Sequence, residues 1–181
     1  WVINGSKIWI TNGSVADVAV VWAKDKNGVI RGFLLEKGMD GFSAPLQDGK
    51  WSLRASVTSE LVMDNVRVPD SAMLPNVEGL KGPLSCLTQA RYGISWGMVG
   101  AAVDCYNTAL EYSKDRKQFS KPIAGYQLTQ AKLAEMVTQI TEGQLLVYRL
   151  GRLKDKGKMT FEQVSMAKRK NCAMARDIAR T

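Results

Sequence analysis

Hydrophobic and polar positions change period part-way along this chain. Over residues 1–73 the apolar side chains come in short β-branched runs separated by turn residues; from Leu87 onward they recur every three, four or seven positions. The first pattern is that of strands and the second that of helices, because side chains alternate across a strand but share a helix face only at those spacings. Val15–Ala23 and Val29–Leu35, parted by Asn27-Gly28, predict a hairpin with a longer loop. Trp1–Ile3 and Lys7–Ile10 flank Asn4-Gly5 and predict a second hairpin. Ser56–Met63 alternates as a strand. Val66-Arg-Val-Pro69 is expected to close the region as an edge strand, since proline cannot donate to a ladder.

In the second half Leu87, Ile94, Met98, Ala101, Cys105 and Tyr112 define the predicted buried stripe of a first helix. Gly93, Gly97 and Gly100 lie beside it. A glycine inside a helix costs roughly 1 kcal/mol relative to alanine, so these are expected to allow close approach by another helix or a ligand. A second helix is predicted from Leu128 to Lys154, with Leu133, Val137, Ile140, Val147 and Leu150 on one face, and Gly157 breaks it. Thr160-Phe-Glu-Gln163 has the spacing of a capping box and starts a third. The predicted fold class is α+β: a small antiparallel β-sandwich or barrel domain over residues 1–75, then the long antiparallel helices of a bundle over 76–181.

Composition narrows the class. With 45% hydrophobic and 23% charged residues the chain is neither disordered nor low-complexity. It contains no apolar run of the 18 or more residues a membrane span needs. Cys86, Cys105 and Cys172 are odd in number and widely spaced, which reads as reduced thiols rather than a disulfide framework. There is no histidine, so a zinc site or a histidine-based triad has almost no raw material. Asn4-Gly-Ser6 and Asn12-Gly-Ser14 match the glycosylation sequon, but Asn-Gly is first a turn signal. The chain opens on Trp1 in mid-pattern, and a helical pattern is still running at Arg180-Thr181. Both ends therefore read as an internal piece of a longer protein.

Charge is unevenly shared. Residues 1–80 carry eight Lys/Arg against nine Asp/Glu, and residues 81–181 carry seventeen against eight. The basic half is either a solvated helical surface or a site for phosphate-rich ligands such as nucleotides or coenzyme A. A nucleic-acid surface would interleave its cations with exposed aromatics, and Trp51, Trp96 and Tyr148 stand apart from the lysine clusters.

Three stretches hold candidate chemistry. Trp9-Ile-Thr-Asn12 ends a strand: Trp9 is either a half-buried sheet residue or the floor for a planar ligand to which Thr11 presents its hydroxyl. Ser113–Ser120 is a cationic helix end, as helix electrostatics favour. Within it Arg116 has the fork for a bidentate phosphate contact, with Phe119 offering a stacking face. No phosphate-binding glycine-rich loop of the Rossmann or P-loop type occurs. Arg91 falls on the predicted apolar stripe, where it must be paired or line a ligand cavity. Thr88 and Gln89 beside it have the groups to hydrogen-bond an extended polar ligand, and Ser85 or Thr88 is alternatively a helix cap.

Trp9-Ile-Thr-Asn12, Leu53-Arg-Ala-Ser56, Val66-Arg-Val-Pro69, Ala90-Arg-Tyr-Gly93, Asp115-Arg-Lys-Gln-Phe119 and Gln127-Leu-x-Gln-x-Lys-Leu-Ala134 occur in that order. Together they resemble the flavin-dependent acyl-CoA dehydrogenases, and the resemblance covers essentially the whole chain. Arg31-Gly-Phe-Leu-Leu-Glu-Lys37, Ala90-Arg-Tyr-Gly-Ile-Ser-Trp-Gly97 and Leu150-Gly-Arg-Leu-Lys-Asp155 look like the branch that acts on glutaryl-CoA. The resemblance implies most of a middle β domain and the first part of a C-terminal helical bundle, in a parent that is a homotetramer. It implies FAD as cofactor, with Trp9, Ile10 and Thr11 lining the flavin. Arg116 and Gln127 would hold FAD, partly across a subunit interface, and Phe119 would border the adenine. Leu84, Ser85, Cys86, Leu87, Thr88, Gln89, Ala90 and Arg91 would lie along the acyl-CoA. Ser120 stands where the family has glycine after the phenylalanine.

The implied activity of the parent is α-proton abstraction, β-hydride transfer to FAD and loss of CO2 from glutaryl-CoA to give crotonyl-CoA, within lysine and tryptophan degradation. Electrons would pass on to an electron-transferring flavoprotein. A short-chain, non-decarboxylating dehydrogenase is the alternative, and the isolated chain is otherwise a non-catalytic structural fragment. The family's base sits in a Tyr-Glu-Gly-Thr motif that this chain does not contain, so no residue here is assigned as catalytic and none as a metal ligand. Neither nucleic acid as a partner nor a membrane span is expected. The implied compartment is the mitochondrial matrix in a eukaryote and the cytoplasm in a bacterium.

Overall fold

The structure is a computed structural model describing residues 1–181. The chain divides into two compact units, Trp1–Leu84 and Ser85–Thr181, each with its own core.

The first unit holds five strands in two antiparallel sheets: β1 (Val2–Thr11), β2 (Val18–Lys24), β3 (Ile30–Glu36), β4 (Phe42–Ser43) and β5 (Thr58–Arg67). One sheet has the order β1-β5-β4 and the other pairs β2 with β3. Ile3, Val21, Phe33, Leu35, Leu61, Met63, Val66 and Val68 from both sheets form one core. The β2–β3 hairpin forms where the sequence predicts it, in unbroken register from Val18↔Glu36 to Lys24↔Ile30. Its loop is organised by Asp25, whose Oδ1 accepts the N–H groups of Asn27 at 2.8 Å and Val29 at 2.9 Å. Those bonds, that from Val29 foremost, and the Arg31 guanidinium hold the Asp25 carboxyl below the usual aspartate range.

Two strand expectations are corrected. Asn4-Gly5 makes no hairpin: β1 runs through it and pairs along its length with β5. Val66-Arg67 is not an edge strand either, but the end of β5, the central strand of its sheet. The β1–β5 pairing accounts for both departures, and it carries two bulges. Between Met63↔Gly5 and Val66↔Ile3 the β5 strand spends one residue more than β1, with Asn65 at φ 52°. Between Leu61↔Lys7 and Ser59↔Ile10 the extra residue is on β1, with Trp9 at φ 59°. An odd spacing puts two residues on opposite faces of a regular strand, and one inserted residue returns them to the same face. This is how Ile3 and Ile10 on β1, and Met63 and Val66 on β5, all face the core.

The second unit is three helices with a small hairpin between the first two. They are α1 (Lys81–Asp115, its first four residues belonging to the first unit), β6 (Lys117–Gln118), β7 (Lys121–Pro122), α2 (Gln127–Asp155) and α3 (Phe161–Arg180). Tyr92 packs near Leu150 and Val164, while Val99 and Ala102 share a cluster with Met136, Ile140 and Met174. The three helices therefore run up, down and up. The predicted capping box is present: Gln163 N–H donates to Thr160 Oγ1 at 3.4 Å, and Thr160 N–H donates to Gln163 Oε1 at 3.1 Å. No helix is long and apolar enough to cross a membrane.

The buried face of α1 is not the predicted one. Ser95, Val99, Ala102 and Ser113 are buried, whereas Leu87, Ile94 and Tyr112 of the expected stripe are exposed and Met98 and Cys105 are half-buried. An α1 apolar on several faces lets periodicity choose a stripe, and packing against α2 and α3 chooses another. On α2 Ile140, Val147 and Leu150 are buried as expected, but Val137 is exposed and Met136 and Gly143 take its place. A Cβ at Gly93, Gly97 or Gly100 would meet nothing within 4 Å, so no element of this chain approaches those glycines. The close approaches are on α2: a Cβ at Gly151 would lie 2.9 Å from the Tyr92 hydroxyl of α1, and at Gly143 the fully buried Asn171 of α3 donates to the carbonyls of Ser95 at 3.1 Å and Gly143 at 3.3 Å.

Candidate functional site

The candidate residues fall into three groups. Trp9, Ile10 and Thr11 stand together at the end of β1, at its second bulge. Trp9 is not the half-buried sheet residue allowed by its sequence: its side chain is 75% exposed, because the left-handed backbone of the bulge turns it off the ladder. Its N–H, lost to β5, donates instead to Gln47 Oε1 at 3.2 Å. Ile10 is half-buried against the core, and Thr11 pairs with Thr58 across the ladder. Ile10 and Thr11 line a cleft of about 300 Å³ with Val18, Val20 and Leu61. A larger cleft of about 620 Å³, bounded by Trp1, Trp22 and Phe33, contains none of the candidates.

Arg116, Phe119 and Gln127 form the second group, between α1 and α2. The Arg116 carbonyl accepts the Ile123 N–H at 2.8 Å, which closes the β6–β7 hairpin. Its two turn residues, Phe119 and Ser120, sit at φ 47° and 66°. Both being left-handed is the requirement of a tight two-residue hairpin turn, for which glycine is best suited. The turn forms with Ser120 in place. It leaves Phe119 90% exposed. Tyr126 braces the hairpin, donating from its hydroxyl to the Gln118 carbonyl at 2.9 Å, with the Lys121 ammonium 4.1 Å above its ring. Arg116 makes no ion pair, and Gln127 opens the 29-residue helix α2. Arg116, with no ion pair, and the exposed Phe119, on a hairpin that leads into the positive end of a long helix, suit an anionic ligand with a planar group. Lys114, nearby, is held protonated above the usual lysine range by the Glu111 carboxylate at 2.8 Å.

The third group, Leu84 to Arg91, lies in the first turns of α1. Leu84, Ser85, Cys86, Leu87, Gln89, Ala90 and Arg91 are exposed and Thr88 is half-buried. The helix starts at Lys81, so Ser85 and Thr88 are interior to it and neither is its cap. Arg91 is not on the buried stripe; it is exposed and donates from Nη1 to Ser165 Oγ at 3.3 Å. From Arg91 to the end of α1 at Asp115 is about 36 Å at 1.5 Å per residue, so the second and third groups do not converge. No cluster of three or more His, Cys, Asp or Glu is placed to hold a metal.

Sequence reasoning missed Gln47. The signal for it is tertiary, a side chain catching a backbone N–H 38 positions away.

Family models of the acyl-CoA dehydrogenase middle domain and C-terminal domain match residues 1–66 and 78–181. The chain belongs to the acyl-CoA dehydrogenase family. A crystal structure of glutaryl-CoA dehydrogenase from Mycobacterium smegmatis is 55% identical, with a TM-score of 0.96 over 99% of this chain and 46% of that one. A glutaryl-CoA dehydrogenase from Mycobacterium smegmatis in complex with FADH2 is 53% identical, with a TM-score of 0.96 over 99% of this chain and 46% of that one. Butyryl-CoA dehydrogenase from Megasphaera elsdenii is 37% identical with a TM-score of 0.90, covering 98% of this chain and 48% of that one. Among curated relatives, the rat mitochondrial short/branched chain specific acyl-CoA dehydrogenase is 36% identical over 93% of this chain and 40% of its own length. This acyl-CoA dehydrogenase chain thus spans less than half the length of the relatives it matches.

Proposed function

We propose that this chain is the β domain (residues 1–75) and first bundle helices (76–181) of an FAD-dependent glutaryl-CoA dehydrogenase. In that reading the parent oxidises and decarboxylates glutaryl-CoA to crotonyl-CoA. The observation that carries the proposal is the 55% identity and TM-score of 0.96 to the Mycobacterium smegmatis enzyme, against 37% and 0.90 for the butyryl-CoA enzyme. FAD, when bound, supplies the hydride acceptor. Trp9 offers an exposed indole face for a planar ring, and Thr11 a hydroxyl with no hydrogen bond inside the chain. Arg116 forks onto phosphate, Phe119 borders the adenine, Gln127 adds a polar contact, and Leu84 to Arg91 flank the acyl-CoA. The 36 Å between the Arg116 and Arg91 ends of α1 supports a cofactor shared between two copies, as in a homotetramer. Reoxidation is by an electron-transferring flavoprotein, in the matrix of a eukaryote or the cytoplasm of a bacterium.

The second reading, a short-chain non-decarboxylating dehydrogenase, draws on the 38% identity to the short-chain specific enzyme of Megasphaera elsdenii. The two separate on the full-length enzyme containing this chain, given glutaryl-CoA or butyryl-CoA with a dye acceptor. Crotonyl-CoA and CO2 from glutaryl-CoA are expected; preference for butyryl-CoA overturns the decarboxylating reading.

A further inference from the structure

We propose that Gln47 is a positioning residue that sets the conformation of Trp9 and so the shape of the flavin-facing end of β1. The inference rests on the flavin reading above for its consequence, and on geometry for its substance. Trp9 sits at φ 59°, where a side chain with a Cβ is strained and persists only if its surroundings over-determine it. The ladder gives no help there, because the register slips from Lys7↔Leu61 to Ile10↔Ser59 and leaves Ile8 and Trp9 without partners on β5. The replacement is one hydrogen bond, Trp9 N–H to Gln47 Oε1 at 3.2 Å.

The backbone that carries the acceptor is fixed against β5. The Gln47 N–H donates to the Thr58 carbonyl at 2.8 Å, and Leu46 bridges to Ser59 beside it. After Gln47 the loop is drawn in by the Lys50 ammonium, which donates to the Leu53 carbonyl at 2.8 Å and to Thr58 Oγ1 at 2.8 Å, and also to the Ser56 carbonyl. One clasped loop thus carries the acceptor for Trp9 and braces Thr58, the ladder partner of Thr11. Without it, Trp9 relaxes toward extended backbone, and its indole leaves the position the bulge gives it.

The test compares Gln47→Met, which keeps length and removes the acceptor, with Gln47→Glu, which keeps an acceptor oxygen. In the full-length enzyme FAD binding is followed by titration of the apo-protein, and flavin seating by visible circular dichroism. In the same full-length enzyme exchange at the Trp9 amide is followed by mass spectrometry of the peptides that contain it. Gln47→Met is expected to weaken FAD binding about threefold to tenfold, to change the flavin dichroism and to accelerate exchange at Trp9. Gln47→Glu is expected to stay within about twofold of wild type on all three, the scale of a single retained hydrogen bond. Unchanged Trp9 exchange in Gln47→Met overturns the proposal, as does equal impairment of the two variants. If the wild-type enzyme takes up no flavin, the flavin reading has failed and with it the functional consequence, while the exchange data still decide the contact.

Discussion

Two helical glycines should respond to the same substitution with opposite signs. Gly97 on α1 is exposed and a Cβ there meets nothing within 4 Å; Gly143 on α2 is buried and its Cβ would lie 3.0 Å from Met174 Cε and 3.1 Å from Asn171 Oδ1. Alanine favours either helix by about 1 kcal/mol over glycine. At Gly97 nothing opposes that gain, so Gly97→Ala should stabilise this chain by about 1 kcal/mol. At Gly143 the neighbours must move. Met174 has flexibility to spare, but Asn171 is held by its two bonds to Ser95 and Gly143 carbonyls, and overpacking a filled core costs about 1–3 kcal/mol. The net for Gly143→Ala is a loss of about 1 kcal/mol. Urea unfolding of the 181-residue chain followed by far-UV circular dichroism should move the two midpoints apart by about 1 M. Asn171→Ala should cost less in the Gly143→Ala background than in wild type, since the two side chains compete for one space. A Gly143→Ala protein as stable as Gly97→Ala would refute the packing described for Asn171.

Ser120→Gly removes the left-handed strain at φ 66° and should stabilise the helical unit by about 0.5–1 kcal/mol, read as a rise in Tm; a fall would mean that the turn has another geometry. Asp25, whose carboxyl is held low by its loop N–H groups and Arg31, contributes stability that is full above the ordinary aspartate pKa of about 4 and lost as pH falls through its lower folded value. Carbon-13 NMR of its carboxyl should give a midpoint below that of an unstructured aspartate, and one above it would contradict the hairpin-loop geometry. Arg116→Ala in the full-length enzyme should cost about tenfold to a hundredfold in FAD affinity, the scale of a charge-assisted hydrogen bond, and loosen the oligomer. Titration with size-exclusion chromatography checks both, and unchanged affinity would return Arg116 to a plain helix end.

Local signals were legible in the sequence wherever a few neighbouring residues decide the outcome. The β2–β3 hairpin, the capping box at Thr160 and the extent of α2 each depend on interactions within a short stretch, and each stands as the residues imply. The motifs around Trp9, Arg91, Arg116 and Gln127 likewise sufficed for the family, because residue identity and order survive without coordinates. Tertiary structure decided what depends on a distant partner. Asn4-Gly5 has the chemistry of a turn, yet pairing with β5 absorbs it into a strand. The α1 stripe was undetermined because a helix apolar on several faces buries whichever one its neighbours cover, here Ser95, Val99 and Ala102. The exposure of Trp9 follows from a bulge that only the β1–β5 register reveals, and its hold on Gln47 spans 38 positions. Periodicity reports which faces a residue shares, but which face is buried and which side chain reaches across are properties of packing, and packing is not written in any single segment.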